Sequence, residues 1–428
     1  MTSAAGPDAP KPTAPAPDPA LRARHARRIT GALFLSQSLG SAGSIAAATV
    51  AAIVGAELSG NVAWAGVPAA VAQIGVALGA LLWSRASDRI GRRNALSGAL
   101  ATGALGATLS LFGVASGNFA LVLLGLFVGG SGNAAVQLGR FVAAEVNPKA
   151  RRARALATVV LGGTFGSVVG PLLVGPTSAL VTGWGWNEIA GPYLATGVGY
   201  LLTAILLFTS LRPEPRLIGE AIAHEERGPV VAAPARDLPQ LLRDPSVRTA
   251  IASVVTAHMV MVGLMQMTSL HMHGLAHPLT SIAIVFSSHT FGMFAFSMVS
   301  GWLADRWGRR PVLGLGATMT LVSCLMAPLS PDLLPLSAAL FLLGLGWNLC
   351  YVAGSALLSD ALAPSEKGRM QGFNDLLVGG AAAAATLIGG WVMAGPGGYT
   401  TMGLLGAAAT APLLLVVARM PRARAAAA

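Results

Sequence analysis

The chain has 428 residues, is 54% hydrophobic and only 11% charged, and carries a formal net charge of +11. A soluble domain carries about 25% charged residues, so a soluble enzyme and a soluble nucleic-acid binder are both excluded and residence in a membrane is implied. Two cysteines exclude a disulfide framework and a thiolate cage of the zinc type.

Residues 1–28 are polar and rich in proline (Pro7, Pro10, Pro12, Pro15, Pro17, Pro19). Such a segment has little apolar surface to bury and is expected to be a disordered tail. It lacks the charged-then-apolar pattern of a cleaved signal peptide. A spanning helix needs about 20 apolar residues. The rest of the chain offers twelve such runs: 30–56, 61–83, 95–115, 118–143, 154–181, 190–211, 248–272, 280–303, 312–329, 333–358, 370–394 and 399–418. Six lie in 29–211 and six in 248–418. Between them runs a charged, proline-containing linker, 212–247, and residues 419–428 form a second tail.

Cytoplasmic ends of membrane helices collect Lys and Arg. With both termini cytoplasmic, all 28 Lys and Arg fall on that side, and the opposite loops carry none. The positive charge is therefore a topology signal, and no nucleic-acid partner is expected. The expected location is a bacterial cytoplasmic (inner) membrane.

Asp88-Arg89-Ile90-Gly91-Arg92-Arg93 follows the second run, and Asp305-Arg306-Trp307-Gly308-Arg309-Arg310 follows the eighth, 217 residues later. A tight turn there needs Gly91 and Gly308 for backbone freedom. Asp88 is placed to accept from a cation on a neighbouring loop, such as Arg140 or Arg154. Together with Arg89 and Arg92, and with Asp305, Arg306 and Arg309 by symmetry, it forms a candidate latch that opens when the halves rock. In the first half Ser36, Gln37, Ser38, Ser41, Gln73, Asn133 and Gln137 are the interior polar residues. Asn133, Gln137 and Arg140 share one helical face, and Gln37 and Gln137 are candidate cavity liners. Gly129-Gly130-Ser131-Gly132 lacks the lysine and the strand of a phosphate loop and reads as close helix packing.

These residues resemble the major facilitator superfamily. Its most specific motif, Gly-x-Leu-Ala-Asp-Arg-x-Gly-Arg-Arg, is matched by Gly301, Leu303, Ala304, Asp305, Arg306, Gly308, Arg309 and Arg310. In the first half Asp88, Arg89, Gly91, Arg92 and Arg93 match, with Ser84 in place of the leading glycine. Gly166–Pro171 resembles the superfamily's Gly-Pro motif. The resemblance covers residues 30–418. It implies an all-α integral membrane fold of twelve transmembrane helices, in two six-helix bundles related by pseudo-two-fold symmetry.

The seventh and eighth runs hold an unusual cluster. Seven of the fourteen Met and five of the seven His fall between His258 and Met298. Thioether and imidazole favour copper, above all Cu(I). His258, Met261, Met265 and Met272 lie on one face of the seventh helix, and His289 and Met293 on one face of the eighth. At about 1.5 Å rise per residue, Met261 and Met265 sit at the depth of Met293 and His289. His271, His273 and His277 surround the outer turn as a candidate capture funnel. Met261, Met265, His289 and Met293 are thus the leading metal ligands, with His258, Met272, His271, His273 and His277 as a second tier.

The paired Met-x-x-x-Met and His-x-x-x-Met motifs resemble those of the CcoA-type bacterial copper importers. That resemblance implies binding roles for the four leading residues, copper as the transported substrate, a cytoplasmic copper acceptor as partner, and service to cytochrome oxidase assembly. Some relatives carry extra cysteines that this chain lacks.

Few acids lie within the spans; Asp375, near the cytoplasmic end of the eleventh, is a candidate coupling group. Coupling by His289 protonation, or uniport down the membrane potential at about 2.3 kcal/mol per charge per 100 mV, is the expected energetics. No catalytic arrangement and no nucleotide loop is present, so neither an enzyme nor an ATP-driven pump is expected. No tightly bound cofactor is expected, and the protein is expected to act as a monomer. The competing expectation is a permease or exporter of a small organic solute or drug.

Overall fold

The computed structural model describes residues 19–225 and 236–419. Among them twelve helices are long and apolar enough to cross a membrane: Ala20–Ser59, Val62–Ile90, Arg92–Ala115, Phe119–Glu145, Arg154–Leu172, Glu188–Ser210, Pro245–Gly274, Leu279–Trp307, Arg309–Leu329, Leu333–Asp360, Arg369–Ala394 and Gly398–Arg419. All twelve expected runs are present, and they are numbered here as spans in that order. Every described Lys and Arg lies at one end of the bundle, called the cation-rich end.

Within the first half, glycines let backbones touch. A Cβ on Gly130 would meet the Gly75 backbone at 2.3 Å, and one on Gly132 would meet the Tyr200 ring at 2.6 Å. The glycine-rich stretch is thus a packing surface, since small residues allow the close approach that membrane helices rely on. The halves meet through spans one and seven, two and eleven, and five and eight.

Three helices depart from the sequence reading, each for a physical reason. The first begins at Pro19, so residues 19–28, expected to be disordered, are helical. They find partners there: Arg22 pairs with Glu225 at 2.6 Å, and Arg28 donates to the carbonyls of Ser210 and Arg212. Ala26 and Ile29 are buried beneath. The remainder of the expected tail, 1–18, lies outside the described residues, as do 226–235 and 420–428.

The fifth span pauses at Leu173 and resumes as Val174–Gly183. Pro171 lacks an N–H, so the carbonyl of Ser167 loses its helical donor. The eighth span is two pieces, Leu279–Phe294 and Ser297–Trp307. Asn348 of the tenth span fills the break. Its Nδ2 donates to the Met293 carbonyl at 2.6 Å and to Ser297 Oγ at 2.8 Å, and its Oδ1 accepts from Ser300 Oγ. A break at membrane depth persists only where protein groups satisfy the freed backbone.

The linker contributes a helix, Pro215–Glu225, and a short turn of helix, Leu238–Leu241. Arg236 closes it onto the second half. Its Nε and Nη2 donate to the two carboxylate oxygens of buried Glu366 at 2.9 and 2.8 Å. That guanidinium, with the Ala363 and Arg236 amides, holds the Glu366 carboxyl down at about 2.

Candidate functional site

The two Asp-Arg turns form as expected, with Gly91 at φ 85° and Gly308 at φ 87°, a region where a side chain is strained. Their ion pairs differ from expectation. Asp88 pairs with Arg92 of its own turn at 2.7 Å, and neither Arg140 nor Arg154 is its partner. Arg92 also binds Glu145 at the end of span four, at 3.0 Å. In the second half Arg309 binds Asp305 at 3.2 Å and Asp360, at the end of span ten, at 3.0 Å. Arg89 is exposed, and Arg306 lies over the Trp302 ring. Each triad stays inside one half and so stitches a bundle together; it does not bridge the two. An i,i+4 reading reaches Arg92 from Asp88, but Glu145 and Asp360 are remote in sequence. The repeat could have found them, since each acid closes a span just before a proline.

The Met and His candidates are buried in the second half and face protein. Met261 and Met265 are each 5% exposed, His289 is 1% exposed, and Met293 packs on the same apolar cluster. His289 Nδ1 lies 2.8 Å from the Leu340 carbonyl, and its Nε2 is buried with no hydrogen-bond partner. His258 Nδ1 accepts from Trp347 Nε1 at 3.1 Å. Spans seven and ten run antiparallel, so Met265, seven residues beyond His258, comes level with Leu340 and hence with His289. Yet the two helices scarcely meet. Span seven packs on spans ten, eleven and twelve, and span eight on spans five and ten. Each ligand pair leans on span ten more than on the other. Met272 is fully buried. Among the described residues no three His, Cys, Asp or Glu side chains converge as a metal cage.

At the cation-free end the histidines have other partners. His273 Nε2 lies 2.5 Å from Glu57 Oε1 of span one. His271 stacks on Tyr399, with ring centroids 4.3 Å apart. His277 is half-buried after the helix end. Deeper in, Thr290 Oγ1 donates to the Ser167 carbonyl and Ser287 Oγ to the Val168 carbonyl, from span eight to span five. A Cβ on Gly390 would strike the Ala63 carbonyl at 2.6 Å. These contacts hold the halves together toward the cation-free end.

A cavity of about 220 Å³ lies mainly within the first half and is closed by three residues of the second. Spans one, two, three, four and six form most of its wall; Val262 and Gln266 of span seven and Thr386 of span eleven complete it. Three carboxamides line it, Gln73, Asn133 and Gln266, with the hydroxyls of Tyr193, Tyr200 and Ser44. No carboxylate, ammonium, guanidinium or imidazole is in the lining, and none of Met261, Met265, His289 and Met293 is. Gln73 and Asn133 belong to the interior polar set read from sequence. Gln266 and Tyr193 were missed. Gln266 sits between Met265 and Met267, where sulfur drew the eye; a lone amide in a spanning helix was the available signal.

The expected liners Gln37 and Gln137 are not in that wall. Gln37 bonds Ser41 and faces Gly163 of span five, and Gln137 is exposed. Arg140 lies over Phe141, with its Nε buried and without a partner. Asp375 is exposed and accepts from Gln371 Nε2 at 2.8 Å.

Comparison with known proteins agrees with this architecture. The Major Facilitator Superfamily profile matches residues 33–282 and again 272–427. The chain is 31% identical to the uncharacterized MFS-type transporter YdeG of Bacillus subtilis (strain 168), over 91% of each chain. It is 29% identical to the riboflavin transporter RfnT of Brucella anthropi, over 88% of this chain and 91% of that one. Among solved structures it resembles a POT family transporter in complex with 5-aminolevulinic acid, with a TM-score of 0.66, 12% identity, and 91% and 96% of the two chains covered. It also resembles a bacterial homologue of the lysosomal transporter Spinster in an inward-facing conformation, at TM-score 0.62 and 16% identity, covering 92% and 95%. The narrower likeness to CcoA-type copper importers finds no support in these matches. The chain is a multi-pass membrane protein and a secondary transporter, not an enzyme, and it belongs to the major facilitator superfamily.

Proposed function

We propose that this carrier moves a small, uncharged organic solute across the bacterial cytoplasmic membrane by alternating access. One observation carries the reading: the cavity, walled by the first half and closed by the second, offers three carboxamides and no ionised side chain. A charged cargo there would lose its water without gaining a counter-ion, at several kcal/mol. A neutral polar solute loses only hydrogen bonds, which amides and hydroxyls replace. The similarity to a riboflavin transporter supports an organic cargo.

With the cation-rich end and both termini cytoplasmic, the contacts described above close the periplasmic side, as in an inward-facing carrier. The cavity supplies no carboxylate or imidazole to carry a proton alongside the solute, so facilitated diffusion is the energetic mode. Purified protein in liposomes should accelerate entry of radiolabelled neutral solutes, and Asn133→Leu should abolish it. Uptake no faster than in protein-free liposomes, across a panel of neutral heterocycles and polyols, would end this reading.

A second reading is copper import through Met261, Met265, His289 and Met293, with His258, Met272, His271, His273 and His277 as auxiliary groups. It is favoured by the unpartnered Nε2 of buried His289, and by the placing of Met261, Met265 and Met293 in one extended apolar cluster. A cytoplasmic copper acceptor would then be the partner. Cellular copper content decides between the two. It should fall with Met265→Ala or His289→Ala under the copper reading, and stay unchanged under ours.

A further inference from the structure

We propose that the cavity is a slot for a heterocycle with a cyclic amide or imide edge, read by Tyr193 from one half and Gln266 from the other. The inference rests on the reading of this cavity as the solute site, and adds the class of solute.

Two features of the wall point to it.

The first is a pair of orphaned polar atoms. The Tyr193 hydroxyl and Gln266 Oε1 both belong to lining residues, both are buried, and neither has a hydrogen-bond partner. Buried polar groups are seldom left so. A ligand carrying a carbonyl beside an N–H supplies both needs: Tyr193 O–H donates to the carbonyl, and the N–H donates to Gln266 Oε1. The second is chemistry. Each carboxamide presents a donor and an acceptor side by side, the complement of a cyclic amide edge, and Gln73 and Asn133 add two more such groups.

The two readers sit on opposite halves, on spans six and seven. A ligand bound to both becomes part of the contact between the halves, so recognition and closure draw on the same bonds.

The test compares ligands before it compares proteins. Full-length protein in nanodiscs is titrated with thymine and with lumiflavin, one ring and three, each against its counterpart methylated at the imide nitrogen. Glucose is the non-planar neutral control. We expect at least one parent heterocycle to bind, its methylated form to bind tenfold or more weaker, and glucose not to bind. Gln266→Leu should weaken the parent compound by the same factor and leave the methylated one unchanged. Tyr193→Phe should weaken both. The methyl swap needs no variant, so a misfolded mutant cannot obscure the answer.

Equal affinity for parent and methylated compound, or an unchanged parent affinity in Gln266→Leu, overturns the slot. If glucose or another neutral solute is still carried and Asn133→Leu still blocks it, the carrier reading stands without the slot. If no neutral solute binds or moves, both fall.

Discussion

Thr290 Oγ1 donates to the carbonyl of Ser167 at 2.9 Å, the carbonyl that Pro171 leaves without a helical donor. The bond crosses from one half to the other. A proline in span five thus creates an acceptor, and a threonine in span eight uses it when the halves meet on that side. Thr290→Val keeps the shape and removes the donor. The loss of about 1 kcal/mol should shift the closed population about fivefold toward the opposite state. Distances between spin labels on spans five and eight measure this, and Thr290→Ser should restore the parent distribution. An unchanged distribution in Thr290→Val would show that the bond does not hold the halves.

The Glu57–His273 pair joins spans one and seven at the cation-free end. Its side chains are 38% and 28% exposed, so water competes and the pair is worth about 1 kcal/mol or less. Glu57→Gln should therefore raise the accessibility of a cysteine at Val262, from that side, by a few-fold and not more. Accessibility equal to the parent would remove the pair from the closing contacts.

The triads should matter for stability unequally by member. Asp88 is 71% exposed and Glu145 only 28%. Arg92→Ala strands both acids and should cost roughly 1–3 kcal/mol; Asp88→Ala, at an exposed carboxylate, should cost far less. Arg309→Ala should cost less than Arg92→Ala, because its acids Asp305 and Asp360 are 79% and 56% exposed. Melting of purified variants in detergent gives the ranking. A larger effect from Asp88→Ala than from Arg92→Ala would contradict the geometry.

Glu366 gives a pH prediction with a definite sign. Its folded carboxyl is held at about 2, below the unfolded value of about 4.3. The Arg236 contact therefore stabilises the fold fully above the unfolded value, and is lost as pH falls toward the folded one. The melting-point gap between the parent and Glu366→Gln should be constant above pH 5 and shrink between about pH 4 and pH 2. A gap that does not vary with pH would mean that the carboxylate charge is not what holds Arg236.

The fold was legible because its signals are long and redundant. Twelve apolar runs, cations on alternate loops, and a turn motif repeated 217 residues apart each give the same topology. The breaks were not legible. Nothing local at Ala295 and Phe296 announces a helix end; the break depends on Asn348, which lies more than 50 residues away and faces it only after folding.

The site was half legible. Gln73 and Asn133 stand out as amides in apolar helices. The Met/His pattern stands out more, and its helical spacing is real, but period alone states which residues share a face and not which neighbour that face meets. For Met261 and Met265 the face turns into the second bundle and away from the cavity. The cavity side belongs to Val262 and Gln266, one residue along in each case.

Each Arg92 or Arg309 keeps its acids within its own bundle. The charges of these two turns, at the cation-rich end, therefore need not change partners as the carrier turns over. Raising salt on that side should shorten how long the protein survives while leaving its speed almost untouched, a separation of durability from pace written into where two arginines reach.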